Sequence, residues 1–92
     1  MTTAVYRRRK VKAYKITDKN IEVIGKELNG KIFYGKQLEE YLVFDSLQQK
    51  DPDFISATYG EWIVEDPING RVVLSHYEFH ANFLVERPGS TH

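Results

Sequence analysis

His76 and His80 stand four residues apart, a spacing that on a helix turns both imidazoles to one side, as zinc-binding pairs do. A zinc site takes at least a third ligand and an oriented outer shell, and Glu78 between them falls on another face of such a helix. In the glutamate-bearing zinc hydrolase motif the glutamate directly follows the first histidine, where this chain has Tyr77. The pair therefore reads as solvent-facing or partly packed histidines. Glu39-Glu40, Asp51 with Asp53, and Glu65-Asp66 supply carboxylates of the kind that hold divalent cations or move protons. Adjacent residues on a strand point to opposite faces, so these pairs read as groups that keep turns soluble. The sequence holds no phosphate-cradling glycine loop, no nucleophile elbow and no Cys-His or Ser-His constellation. It assigns no catalytic residue, no cofactor and no metal site, and a non-enzymatic role is expected.

Two further groups suit contact rather than catalysis. Arg7, Arg8, Arg9, Lys10, Lys12 and Lys15 fall within the first fifteen positions with no acid among them, interleaved with Tyr6 and Tyr14. Cations beside rings can meet nucleic-acid phosphates while a ring stacks on a base. Thirteen bases against thirteen acids give the whole chain zero net charge, however, unlike the basic balance of such domains. That balance favours a solvated strand preceded by a flexible basic arm, with a bipolar surface once the acidic remainder folds. Most of Trp62, Tyr77, Phe79 and Phe83 are expected in the core, because a small domain needs its large rings buried, at about 25 cal/mol per Å². Aromatic and arginine residues dominate contact hot spots, so Tyr6, Tyr34, Tyr59 or Tyr77 on the surface would mark a contact face. The candidate contact residues are Tyr6, Arg7, Arg8, Arg9, Lys10, Tyr59 and Tyr77.

The elements that position these groups follow from local signals. Residues Arg9 to Ile16 alternate as a strand, and its lysines place it near a sheet edge. Thr17 and Asp18 offer a cap oxygen ahead of Ile21, Ile24 and Leu28, whose spacing predicts a helix from about Asp18 to Asn29, stopped by Gly30 in a left-handed conformation. Short strands are expected at Lys31 to Tyr34, Tyr41 to Phe44, Phe54 to Ala57 and Glu61 to Glu65, with a loop from Gln48 to Asp53. Asn69-Gly70 tolerates positive φ at both positions and turns the chain into a partner strand at Arg71 to Leu74, in a loop that Pro67 and Ile68 make longer than two residues. Ser75 with Glu78 forms a capping box, and Phe79 and Phe83, four apart, pin the short helix that starts there, from about His76 to Asn82. Leu84 to Glu86 reads as a last extended segment.

Ninety-two residues, 41% of them apolar, make one domain with one principal core. The expected fold class is α+β, a small, mainly antiparallel sheet packed by one helix, with a second short helix after the C-terminal hairpin. The basic arm is set at 1–8, the domain at 9–86 and a flexible tail at 87–92. The absence of cysteine excludes a disulfide framework and points to the cytoplasm. No window approaches the roughly 18 apolar residues of a membrane span, so no membrane association is expected. Exposed strand edges leave homo-oligomer formation open.

Gly60-Glu61-Trp62-Ile63-Val64, the Asn69-Gly70 turn, Val72-Val73-Leu74-Ser75 and then Glu78-Phe79 with Phe83 resemble the C-terminal half of small bacteriophage and prophage accessory proteins. Those proteins carry a Gly-Asp/Glu-Trp-Ile-Val strand, a turn and an aromatic-bearing helix, and they begin with a basic segment running into a strand, as Arg7 to Gly30 does here. The resemblance implies a phage origin and supplies no reaction, cofactor or catalytic residue. The function expected from it is that of a phage-encoded, non-catalytic binding protein acting on a host or phage protein in the bacterial cytoplasm. The alternatives are a nucleic-acid-associated accessory protein using the basic arm, and a small-molecule or nucleotide sponge.

Overall fold

The computed structural model describes residues 2–6, 9–48 and 53–85. The chain is α+β, and its strands form two antiparallel sheets where the sequence suggested one. Strands β1 (Thr2–Tyr6), β2 (Arg9–Lys15), β6 (Trp62–Asp66), β7 (Gly70–Leu74) and β8 (Leu84–Val85) make a five-stranded sheet in the order β7-β6-β2-β1-β8. Strands β3 (Lys31–Tyr34), β4 (Glu40–Asp45) and β5 (Phe54–Ala57) make a second, three-stranded sheet.

Alternation along the strands splits the interior in two. Tyr14, Ile16 and Ile63 join Ile21, Ile24 and Leu28 of the first helical region and Leu42, Phe44 and Ala57 of the small sheet in one buried cluster. Val11, Ala13, Trp62 and Val64, the alternate residues of the same strands, form a second cluster with Ala4 and Phe79. The large sheet is thus a wall, with helix α1 (Ile21–Glu27) and the small sheet on one face and helix α2 (His76–Asn82) on the other.

Several expectations are corrected. Residues 2–6 do not belong to a flexible arm: they form β1, paired with β2 from Thr2↔Ala13 to Tyr6↔Arg9, and Ala4 is completely buried. Strand β2 is not near an edge but at the centre, flanked by β1 and β6. Its lysines reflect solvent on the uncovered part of one face, where Lys10 and Lys12 are exposed, rather than an unpaired edge. Arg7, Arg8, the loop residues 49–52 and the tail 87–92 lie outside the described residues.

Helix α1 is shorter than the stretch from Asp18 to Asn29. Before it, Thr17 N–H donates to Asn20 Oδ1 (2.8 Å) and Asn20 N–H to Thr17 Oγ1 (3.3 Å), so these side chains hold a turn instead of capping the helix directly. At its far end Asn29, with φ 56°, takes the left-handed position expected of Gly30. Gly30 is needed for another reason. A Cβ there would lie 2.7 Å from the carbonyl oxygen of Val43, so only glycine lets β4 approach. In the β6–β7 hairpin, Asp66 pairs with Gly70 across a three-residue loop, longer than two residues as Pro67 and Ile68 imply, and positive φ occurs at Gly70 (80°) and not at Asn69.

The C-terminal unit follows the local signals. Glu78 N–H donates to Ser75 Oγ (3.1 Å) and Ser75 N–H to Glu78 Oε1 (3.0 Å), closing the capping box that starts α2. Phe79 stacks on Trp62 at 3.9 Å between centroids and on Phe83 at 5.1 Å, so the helix is fastened through its rings to the large sheet. Beyond it, β8 adds to the outer side of β1.

Candidate functional site

The inner face of the small sheet is spent on the core, through Leu42, Phe44 and Ala57 with Ile32 and Ile55 behind them. The period of two then commits Lys31 and Phe33, Tyr41 and Val43, and Phe54 and Ser56 to the outer face. The register sets them side by side, Phe33 opposite Tyr41, Lys31 opposite Val43, Val43 opposite Ser56. Phe33 is 53% exposed and Phe54 69%, while Tyr41 and Val43 are half-buried between them. Large rings held in water on a regular sheet form a ready contact surface.

One end of this sheet is edged by hydroxyls and acids. Tyr34 pairs with Glu40 across β3 and β4, and the Tyr59 hydroxyl donates to the Glu40 carboxylate. Thr58 carries Tyr59 into place: its hydroxyl donates to the Glu40 carbonyl (2.8 Å) and its N–H to Glu61 Oε1 (2.8 Å). The bond to Glu40, with partial desolvation and the nearby negative charge, pushes the Tyr59 phenol up to about 12. Next to it, the Tyr41 hydroxyl donates to Glu39 Oε1 (3.3 Å), and the charge of Glu39 raises that phenol too. At neutral pH both phenols are proton donors already engaged with carboxylates; the Tyr41–Glu39 pair borders the apolar rings, while Glu40 keeps the parity of Leu42 and sets its bond to Tyr59 on the other side of the sheet.

The sequence candidates are divided by the fold. Tyr59 and Tyr34, both exposed, stand at the end of the small sheet but off this surface, because Tyr34 and Glu40 keep the parity of Ile32 and Leu42 and so turn to the other side. Tyr77 is 84% exposed on α2, across the large sheet from Tyr59, and is thus the surface ring of a group whose other members, Trp62, Phe79 and Phe83, pack against the sheet. Tyr6 and Arg9 occupy paired positions in β1 and β2, Lys10 is exposed on β2, and Arg7 and Arg8 lie outside the described residues. Phe33, Tyr41 and Phe54 escaped sequence reasoning. Their signal was present: Phe33-Tyr34 and Phe54-Ile55 put large apolar residues on both sides of a strand, more than one buried face accommodates.

The histidine pair is engaged differently. The His76 and His80 rings lie 4.3 Å apart at 65°, and Trp62 Nε1–H donates to His76 Nδ1 at 3.2 Å. Among the described residues, no three His, Cys, Asp or Glu side chains gather where they would hold a metal ion. Among the same residues no helix is long and apolar enough to cross a membrane. Compared with known protein families, curated proteins and solved structures, the chain matches none.

Proposed function

We propose that this chain is a phage-encoded, non-catalytic binding protein that docks a host or phage protein in the bacterial cytoplasm through the outer face of its three-stranded sheet. The observation that carries the docking reading is the exposure of Phe33 and Phe54 on one regular face, with Tyr41 and Val43 half-buried between them. Interface cores are enriched in such rings, and a polar rim excludes water around them. The phage assignment rests on the likeness of the Gly60 to Phe83 unit.

The test is affinity capture from lysates of bacterial hosts, using the intact chain, the Phe33→Ser/Phe54→Ser double variant and Tyr77→Ser. A protein held by the intact chain and by Tyr77→Ser, and lost with the double variant, is the expected result. Equal capture by all three, or reproducible turnover of a substrate by the purified chain, overturns the reading.

A further inference from the structure

A cleft of ≈ 530 Å³ opens on the large sheet, away from the aromatic surface of the small one. Its floor is Thr3, Lys10 and Lys12, with Thr3 and Lys12 directly opposite across β1 and β2. Leu47, from the loop after β4, forms one wall, and Pro67 and Ile68, from the β6–β7 hairpin, form the other. Small-molecule sites fall in the range of roughly 300 to 1,000 Å³ and are concave, apolar-walled and pre-formed, with few polar groups.

The walls are fixed in advance. Leu47 has φ 55°, a left-handed conformation unfavourable for leucine, and its N–H donates to Asp45 Oδ1 at 2.8 Å. Its loop is tied to β7 by Arg71 N–H to Ser46 O (2.6 Å) and Gln48 Nε2–H to Arg71 O (3.3 Å). Gly70 permits this contact, since a Cβ on it would lie 2.6 Å from Ser46 O. Across the cleft, Ile68 N–H donates to Asp66 Oδ1 at 2.8 Å. Strained or specifically bonded backbone therefore holds two apolar side chains in water, Leu47 at 52% exposure and Ile68 at 72%.

The charges of the cleft are unequally committed. Glu65 Oε2 accepts from Arg71 Nε at 3.0 Å, and the Asp66 carboxylate accepts from the Ile68 and Asn69 amides of its own turn. Lys12 is exposed, with Glu65 as its cross-strand neighbour and no ion pair to a carboxylate among the described residues. A cation on the floor between two apolar walls suits a small organic anion, with a carboxylate, sulfonate or phosphate head at Lys12 and an apolar body between Leu47 and Ile68. We infer that the cleft between the Ser46–Gln48 loop and the β6–β7 hairpin is a binding site for a small amphipathic anion. It is separate from the protein-docking face and stands or falls independently of it.

The probe is 8-anilinonaphthalene-1-sulfonate, an apolar anion whose fluorescence rises on leaving water, titrated onto the intact chain at neutral pH. Lys12→Gln and Ile68→Ser, both at exposed positions, are expected to weaken binding roughly tenfold each while thermal unfolding stays unchanged. The Phe33→Ser/Phe54→Ser variant is expected to bind as the parent does, and phenyl phosphate to displace the probe better than inorganic phosphate. Loss of probe binding in the Phe33/Phe54 variant with retention in the other two overturns the inference, as does the absence of probe binding. Equal displacement by the two phosphates removes the apolar body from the ligand class and overturns it as well.

Discussion

The indole Nε1–H of Trp62 donates to Nδ1 of His76 at 3.2 Å, which places the imidazole proton of the neutral ring on Nε2. Protonating Nδ1 would set two donors against each other at the junction of α2 with the sheet. Partial desolvation first, then the charges of His80 and Lys15, hold the pKa of His76 below the usual imidazole value. In the unfolded chain this histidine binds its proton at about pH 6.5. Stability is therefore complete above that pH and falls as the pH drops toward the lower folded value. Thermal unfolding followed from pH 8 to pH 5 should show this loss, and His76→Asn, which keeps an acceptor near Trp62 but does not titrate, should flatten it.

Tyr59 titrates in the opposite range. Its folded pKa is raised to about 12, so the stability it contributes is present below about pH 10 and is lost as the pH rises through the folded value. Absorbance titration of the phenolates should show one tyrosine ionising late. Glu40→Gln should return it toward the ordinary value; a late phenol persisting in that variant would contradict the assignment.

Phe79 and Ser75 both serve α2 but by mechanisms of different size. Phe79 is fully buried against Trp62, and Phe79→Ala should cost about 3–5 kcal/mol from lost burial and the cavity left behind. Ser75→Ala removes one cap hydrogen bond at an exposed helix start and should cost about 1 kcal/mol. Urea unfolding followed by the fluorescence of Trp62, the single tryptophan, ranks the two.

Gly30→Ala tests the close approach of the turn after α1 to β4. The added methyl would meet the Val43 carbonyl at 2.7 Å, backbone that cannot rotate away, and a loss of about 1–3 kcal/mol is expected in the same urea experiment. Asn29, which has the positive φ at this helix end, should accept glycine with little change.

The sequence was most legible where structure is made by neighbours. Ser75 and Glu78 state the start of α2 within four residues, and Phe79 with Phe83 state which side is held. The central place of β2 was hidden because its partner is distant: Lys12 pairs with Glu65, and nothing near Lys12 announces that. Lys10 and Lys12 imitated an edge, when they stand on the part of a face that the small sheet leaves uncovered. The contact surface was not visible. Tyr59 stood out beside a turn glycine but lies on the other side of the small sheet, whereas Phe33 and Phe54, large apolar residues in short strands, are ordinarily assigned to a core. Only the division into two sheets shows that Leu42 and Phe44 already fill that core, leaving the opposite face with rings to spare.

The meeting of Ile16 with the Gly60-Glu61 segment has a further consequence. Ile16 N–H donates to Glu61 O at 2.9 Å and Gly60 N–H to Ile16 O at 2.8 Å, so the chain leaves the large sheet and re-enters it at one point. Helix α1 and the small sheet are an inserted loop with a closed neck. Closure entropy grows only as the logarithm of loop length, with each doubling adding about 0.6 kcal/mol. Loops within the inserted unit can therefore lengthen at small entropic cost while the wall of strands keeps its register, provided the residues that pack on Tyr14, Ile16 and Ile63 stay in place.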